Sequence, residues 1–177
     1  MDFSPLTLAP AQWQALQDSY ATPPRAYHHF GHVRAVLQHC QEVADGPGWQ
    51  QPAEVYLAVL YHDAIYVAGR KDNEARSAQM ALQAITQAPE LAAVDAEAAL
   101  FLDCDMAILA APEPVFTAYD RGVAEEYKGV VPGFLYRAGR RRFLQGLLRA
   151  PRIFLSEFFH QRLDAAARDN LRRQLGR

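Results

Sequence analysis

The sequence predicts an all-α protein, one compact bundle of about seven to nine helices. Apolar residues recur at steps of three and four almost everywhere, and no segment alternates like a half-buried strand. Pro and Gly clusters fall between these periodic stretches, where helices stop and start. The chain of 177 residues is 50 % hydrophobic and 21 % charged, the mixture of a globular protein whose core needs no disulfide or structural metal. It has no internal repeat and no long linker, so residues 1–177 read as a single domain. Its core spans about 26–177, behind a short N-terminal helix over 10–20.

Each helix has its own signal. Trp13, Leu16 and Tyr20 mark the first, which Thr22-Pro23-Pro24 ends. Val33, Val36, Leu37, Cys40 and Val43 mark the second, stopped by Gly46-Pro47-Gly48. A third begins near Gln51-Pro52 and runs through Val55, Val59, Leu60 and Ile65. A polar loop over 68–72 follows, and Asp72 or Asn73 is placed to cap a fourth helix carrying Ala75, Ala78, Leu82 and Ile85. Pro89-Glu90 opens a fifth with Leu91, Val94, Ala98, Leu102 and Met106. After Ala111-Pro112-Glu113-Pro114 come Phe116, Tyr119, Val123 and Tyr127; after Pro132-Gly133 come Leu135, Ala138, Leu144 and Leu148. The last helix sets Phe159, Leu163, Ala167, Leu171 and Leu175 on one face.

The formal net charge of −2 hides an asymmetry. Residues 1–136 hold 7 Lys or Arg against 17 acids, and residues 137–177 hold 11 Arg against 3 acids. Arg137, Arg140, Arg141, Arg142, Arg149 and Arg152 would form a nucleic-acid surface on one reading. Without an aromatic-interleaved RNA motif, ordinary ion pairing between the two parts is the better expectation. The two cysteines form no CxxC, the first residues lack a basic, apolar leader, and no run of 18 apolar residues occurs. A cytoplasmic chain with reduced thiols and no membrane segment is expected. A homodimer is compatible with its aromatic content.

Three places set ionisable groups where the pattern predicts burial. His28 and His32 are four residues apart, so they project from one helix face. His62 and Asp63 have Val59, Leu60, Ile65 and Tyr66 around them, and Asp105 has Phe101, Leu102, Ile108 and Leu109. A carboxylate among such neighbours is costly to bury without compensation. One divalent cation would explain all three places, two imidazoles and two carboxylates supplying four of six ligands.

The order of these residues resembles the HD superfamily of metal-dependent phosphohydrolases. More closely, the chain is similar to a small group of predicted HD phosphohydrolases, over four segments. They are Tyr27-His28-His29-Phe30-Gly31-His32, His62-Asp63-Ala64-Ile65-Tyr66, Asn73-Glu74-Ala75-Arg76-Ser77-Ala78 and Asp103-Cys104-Asp105-Met106-Ala107-Ile108-Leu109. The resemblance runs from about Tyr27 to the C-terminus and implies an HD-domain-like helical bundle. It implies His32, His62, Asp63 and Asp105 as ligands of one divalent ion (Mn, Fe, Co, Ni, Zn or Mg). Asp103 and Asp105 lie about 200° apart on a helix, so only one faces the site. Asp105 is chosen, with Asp103 behind it or towards solvent.

The chain also departs from the group. No His lies between Asp63 and Asp105, which favours one metal over two. Tyr66 stands where one type of HD nucleotidase has a Glu base, leaving Glu74 as the nearest replacement. Ala124 stands where the group has an Arg before Glu-Tyr, with Arg121 three residues earlier as a substitute.

The expected reaction is hydrolysis of a small phosphorylated molecule, a nucleotide by preference, by water activated at the metal. Asp63 or Glu74 would accept the water's proton, and His28 or His29 would donate to the phosphate or leaving group. Arg70, Lys71 and Arg76 beside the Asn73 helix start, with Arg121, would bind phosphate. The competing expectations are a metal- and nucleotide-binding module without turnover and a nucleic-acid-binding helical protein. Catalysis by Cys104 is a remote fourth, since neighbouring aspartates oppose a thiolate.

Overall fold

The computed structural model describes residues 3–85 and 98–176, and among them it is all-helical. The elements are α1 (Pro10–Ala21), α2 (Phe30–Ala44), α3 (Pro52–Tyr61), α4 (Asn73–Ile85), α5 (Ala98–Met106), a 3-10 turn (Ala107–Ala110), α6 (Glu113–Glu126), α7 (Gly133–Arg149) and α8 (Glu157–Gly176). Pro10 and Pro52 sit in the first turns of α1 and α3, where their missing N–H costs nothing. α2 ends before Gly48, whose φ of +83° turns the chain in a conformation that disfavours side chains. Trp49 Nε1 then donates to the Cys40 carbonyl at 2.8 Å and closes this loop onto α2.

α2 lies at the centre, packed on α1, α3 and α5, while α8 packs on α7 and on the 3-10 turn. Leu16, Val33, Val36, Leu60, Leu109, Phe154, Phe159 and Leu171 are fully enclosed in one hydrophobic cluster. Phe3, Leu16 and Tyr20 belong to it, so the core begins upstream of the residue-26 boundary expected from sequence. The α8 face expected from its four-residue spacing is observed, with Phe159, Ala167 and Leu171 buried.

Three helix expectations need correction. α3 ends at Tyr61 rather than continuing through Ile65. Ala64 N bonds to Tyr61 O in a tighter turn, and Ile65 N donates to Ser77 Oγ instead of continuing the helical ladder. In α4 the inward face holds Asn73 and Ser77, whereas Ala75 and Ala78 are exposed. Alanine gains little from burial, and the two polar side chains are satisfied by the backbone of residues 65–67. In α7, Leu135 is exposed and Leu144 carries the burial. The expected start of the fifth helix at Pro89-Glu90 lies outside the described residues.

Polar side chains of the second half set the position of α5. Asp103 is buried, accepting from Leu155 N and Ser156 N at 2.7 Å and from Ser156 Oγ at 2.6 Å. It therefore anchors the loop before α8 and does not face solvent. Asn170 of α8 donates to Leu109 O and Ala111 O, both at 2.8 Å, fixing the 3-10 turn that follows Asp105.

Candidate metal centre

Four donors converge where α2, the end of α3 and α5 meet. His32 comes from the second turn of α2, His62 and Asp63 from the turn that ends α3, and Asp105 from the last turn of α5. His32 Nε2 lies 3.0 Å from His62 Nε2, 3.0 Å from Asp105 Oδ1 and 3.8 Å from Asp63 Oδ2. His62 Nε2 lies 3.3 Å from Asp63 Oδ2 and 3.8 Å from Asp105 Oδ1. Around an ion about 2.1 Å from each ligand atom, neighbours at right angles are about 3.0 Å apart and tetrahedral neighbours about 3.4 Å. Three of the five observed separations, 3.0, 3.0 and 3.3 Å, fall in that range, and two, at 3.8 Å, lie beyond it. His32, His62 and Asp63 form a group that can hold a metal ion.

The supporting contacts orient these donors. His62 Nδ1 donates to the Val59 carbonyl at 2.8 Å, which leaves Nε2 as the ring's free lone pair for a cation. The turn carrying His62 and Asp63 is gripped from outside. Arg25 donates to the carbonyls of Ser19 (2.6 Å), His28 (2.9 Å), Asp63 (2.6 Å) and Ala64 (2.9 Å). From below, Asn73 pairs with both backbone groups of Val67, and Ser77 with both of Ile65.

Burial alone would raise the Asp63 carboxyl, but the hydrogen bond and charge of His62 outweigh it and hold Asp63 below the usual range. Asp105 shows the same contest, won by its bond to His32. His62 is pushed the other way: burial opposes its charge, and Asp63 and Asp105 raise it above the ordinary histidine value. Without a cation the cluster is thus held by His–Asp pairing, the arrangement a divalent ion would replace. Side-chain exposure rises from 4 % at His32 to 20 % at Asp63 and 38 % at Asp105, so the cluster opens to solvent past Asp105.

The remaining expected site residues separate into two sets. His28 lies beside the centre, but it precedes α2, so it does not share a helix face with His32 as the spacing implied. A tertiary contact places it instead. Its Nδ1 is 2.5 Å from Glu126 Oε2, and its ring stacks on Tyr66 at 4.1 Å and meets His32 at 5.9 Å. His29 is exposed and caps α2, accepting from Gly31 N at 2.9 Å. Glu74, Arg70, Lys71, Arg76 and Arg121 are exposed and make no hydrogen bond to the four donors among the described residues. Arg70 is engaged by Asp72 at 2.6 Å. Cys104 is buried against Cys40; that hydrogen bond and burial push its thiol up, against nucleophilic use.

Two residues escaped the sequence reading. Glu126, at the end of α6, accepts from Tyr27 N (2.8 Å) and His28 N (2.9 Å) besides the His28 ring. Gly122 lets α6 come close enough for this, since a Cβ there would sit 3.0 Å from the Tyr27 Cβ. Glu126 stood in view within the Glu125-Glu126-Tyr127 segment, but no spacing rule links it to a histidine 98 positions away. Arg25 looked like an ordinary loop cation after two prolines, and only the folded turn shows the carbonyls it collects. Comparison with protein-family models, curated proteins and solved structures finds no match for the chain.

Proposed function

We propose that the chain is a metal-dependent phosphohydrolase acting on a small phosphorylated molecule, with His32, His62, Asp63 and Asp105 holding one divalent ion. The convergence of these four donors from three segments carries the reading. The resemblance of the four sequence segments to the HD superfamily supports it and supplies the reaction class. A divalent ion bound there would neutralise phosphoryl charge and bring the pKa of a bound water towards neutrality.

The chain's own groups supply the rest. Asp63, held ionised beside His62, is the acceptor nearest the centre for a water's proton. Glu74 is the weaker choice, because it is exposed and bonded to none of the donors. His28 turns Nδ1 to Glu126, which leaves Nε2 as the atom able to protonate a leaving oxygen. Tyr66, in the position where a related enzyme type would have a base, acts instead as the flat surface on which the His28 ring rests.

The test is metal content by mass spectrometry after incubation with divalent ions and desalting, followed by phosphate release from phosphorylated metabolites. About one ion per wild-type chain and none in His62→Ala is expected. Asp63→Ala should retain less than about 1 % of the wild-type turnover. Full activity in Asp63→Ala would end this mechanism. Metal and nucleotide binding without phosphate release would instead make the chain a binding module.

A further inference from the structure

Past Asp105 the surface opens into a groove of about 540 Å³, with His32 and Asp105 at one end. Small side chains make the room: Ala35 on α2, Ala107 and Ala111 around the 3-10 turn, and Ala118 on α6. Ile108 and Val115 add larger apolar wall. Tyr27 and Tyr119, in edge-to-face contact at 4.6 Å, flank it, and burial keeps both phenols protonated. Its polar side chains besides the two donors are the Gln38 amide, the Tyr27 and Tyr119 phenols and the imidazoles of His29 and His39. Among the described residues no Lys or Arg lines it, and Asp105 is its only acid. The cations expected to bind phosphate, Arg70, Lys71, Arg76 and Arg121, are not part of it.

That composition restricts what the groove accepts. Apart from the imidazoles of His29 and His39, the described lining residues offer negative charge one place to be neutralised, at the donor cluster. A second phosphate further along would lose its hydration and meet carbon. A sugar would leave several hydroxyls unpaired against alanine and isoleucine walls. The volume lies within the range of about 300–1,000 Å³ typical of small-molecule pockets, ample for a fused ring system.

We infer, building on the phosphohydrolase reading, that the substrate is a phosphomonoester of an uncharged, mainly apolar, ring-bearing alcohol. Its phosphoryl end lies at His32 and Asp105, and its carbon part lies along Ala35, Ile108 and Ala118. In the hydrolysis the oxygen of water forms the new bond to phosphorus, and the bond from phosphorus to the ester oxygen breaks. The ester oxygen leaves with the electron pair and takes up a proton, giving the alcohol and inorganic phosphate.

The experiment compares kcat/KM for 2-naphthylmethyl phosphate, glucose 6-phosphate and ATP on the full chain loaded with Mn²⁺. Naphthylmethyl phosphate should lead by at least about tenfold. Ala35→Trp and Ala118→Trp fill the groove from exposed positions that tolerate a large side chain, and each should cut that lead about tenfold. A lead for ATP or glucose 6-phosphate, or an unchanged lead in both variants, overturns the inference. If no substrate releases phosphate, the hydrolase reading has failed, and calorimetry with the non-hydrolysable naphthylmethylphosphonate tests the groove by itself. Binding to wild type, weakened in both Trp variants, upholds the groove's preference; no binding overturns it.

Discussion

Glu126 shows how one carboxylate can act both on the fold and on the chemistry. It accepts from two consecutive backbone N–H groups and from the His28 ring, so it fixes both the path of residues 27–28 and the direction of the imidazole. Burial would raise its carboxyl, but these bonds prevail and hold it below the usual glutamate range. A group lowered in the folded state stabilises the protein above its unfolded pKa of about 4.3, and that stability is lost as pH falls through the folded value. Glu126→Gln should therefore flatten the loss of stability below about pH 4.3, as read by urea unfolding at pH 6 and pH 3.5. The same variant should lower kcat by about ten- to a hundredfold with metal content unchanged, because the His28 ring loses the carboxylate that orients it. Equal kcat in the two proteins would remove His28 and Glu126 from the reaction.

At the scale of elements, the decisive feature is a helix that stops early. Apolar periodicity carried α3 through Ile65, because a pattern of side chains cannot see where backbone groups find partners. Arg25 takes the carbonyls of Asp63 and Ala64, and Ser77 takes both polar groups of Ile65, so the chain leaves the helix just where His62 and Asp63 must turn inward. The Asn73…Ser77 spacing stands in the sequence as part of a motif, but its role does not: Asn73 reads there as a helix cap, and Ser77 has no partner assigned. They are buried and bonded to a segment 6 to 12 residues upstream. Ser77→Ala leaves Ile65 N and O without their partner and should cost about 1–3 kcal/mol. A lower midpoint in urea with an unchanged m-value is the expected signature. Metal affinity should fall with it, since the same turn carries two donors; an unaltered midpoint would mean that Arg25 and Asn73 hold the turn without Ser77.

Over the whole molecule, the charge asymmetry of the sequence resolves in part into pairing between its two parts. Arg140 meets Asp120, Arg162 meets Glu42 and Arg173 approaches Glu113, so three of the eleven arginines after residue 136 are engaged by acids before it, while Arg168 meets Asp164 on its own helix. Helix count, most breaks and the four donor residues were legible because periodicity, Pro and Gly punctuation, and buried ionisable groups are local signals. What was not legible came from contacts between distant elements, such as α6 on residues 26–28 and α8 on the 3-10 turn. The donor cluster joins residues 32, 62, 63 and 105 across α2, the turn that ends α3, and α5. A cation held by all four acts as a cross-link present only in the folded chain, so its binding free energy adds to folding stability. At a free metal concentration about 100 times Kd the gain is about 2.7 kcal/mol. For a chain of this size that corresponds to a rise in Tm of roughly 5–10 °C. A thermal scan with the metal that binds, then with excess chelator, should show that rise and its reversal in wild type and neither in His62→Ala. A wild-type Tm that ignores the metal would mean that the imidazoles and carboxylates serve as mutual partners in the core, and the phosphohydrolase reading would fall with the site.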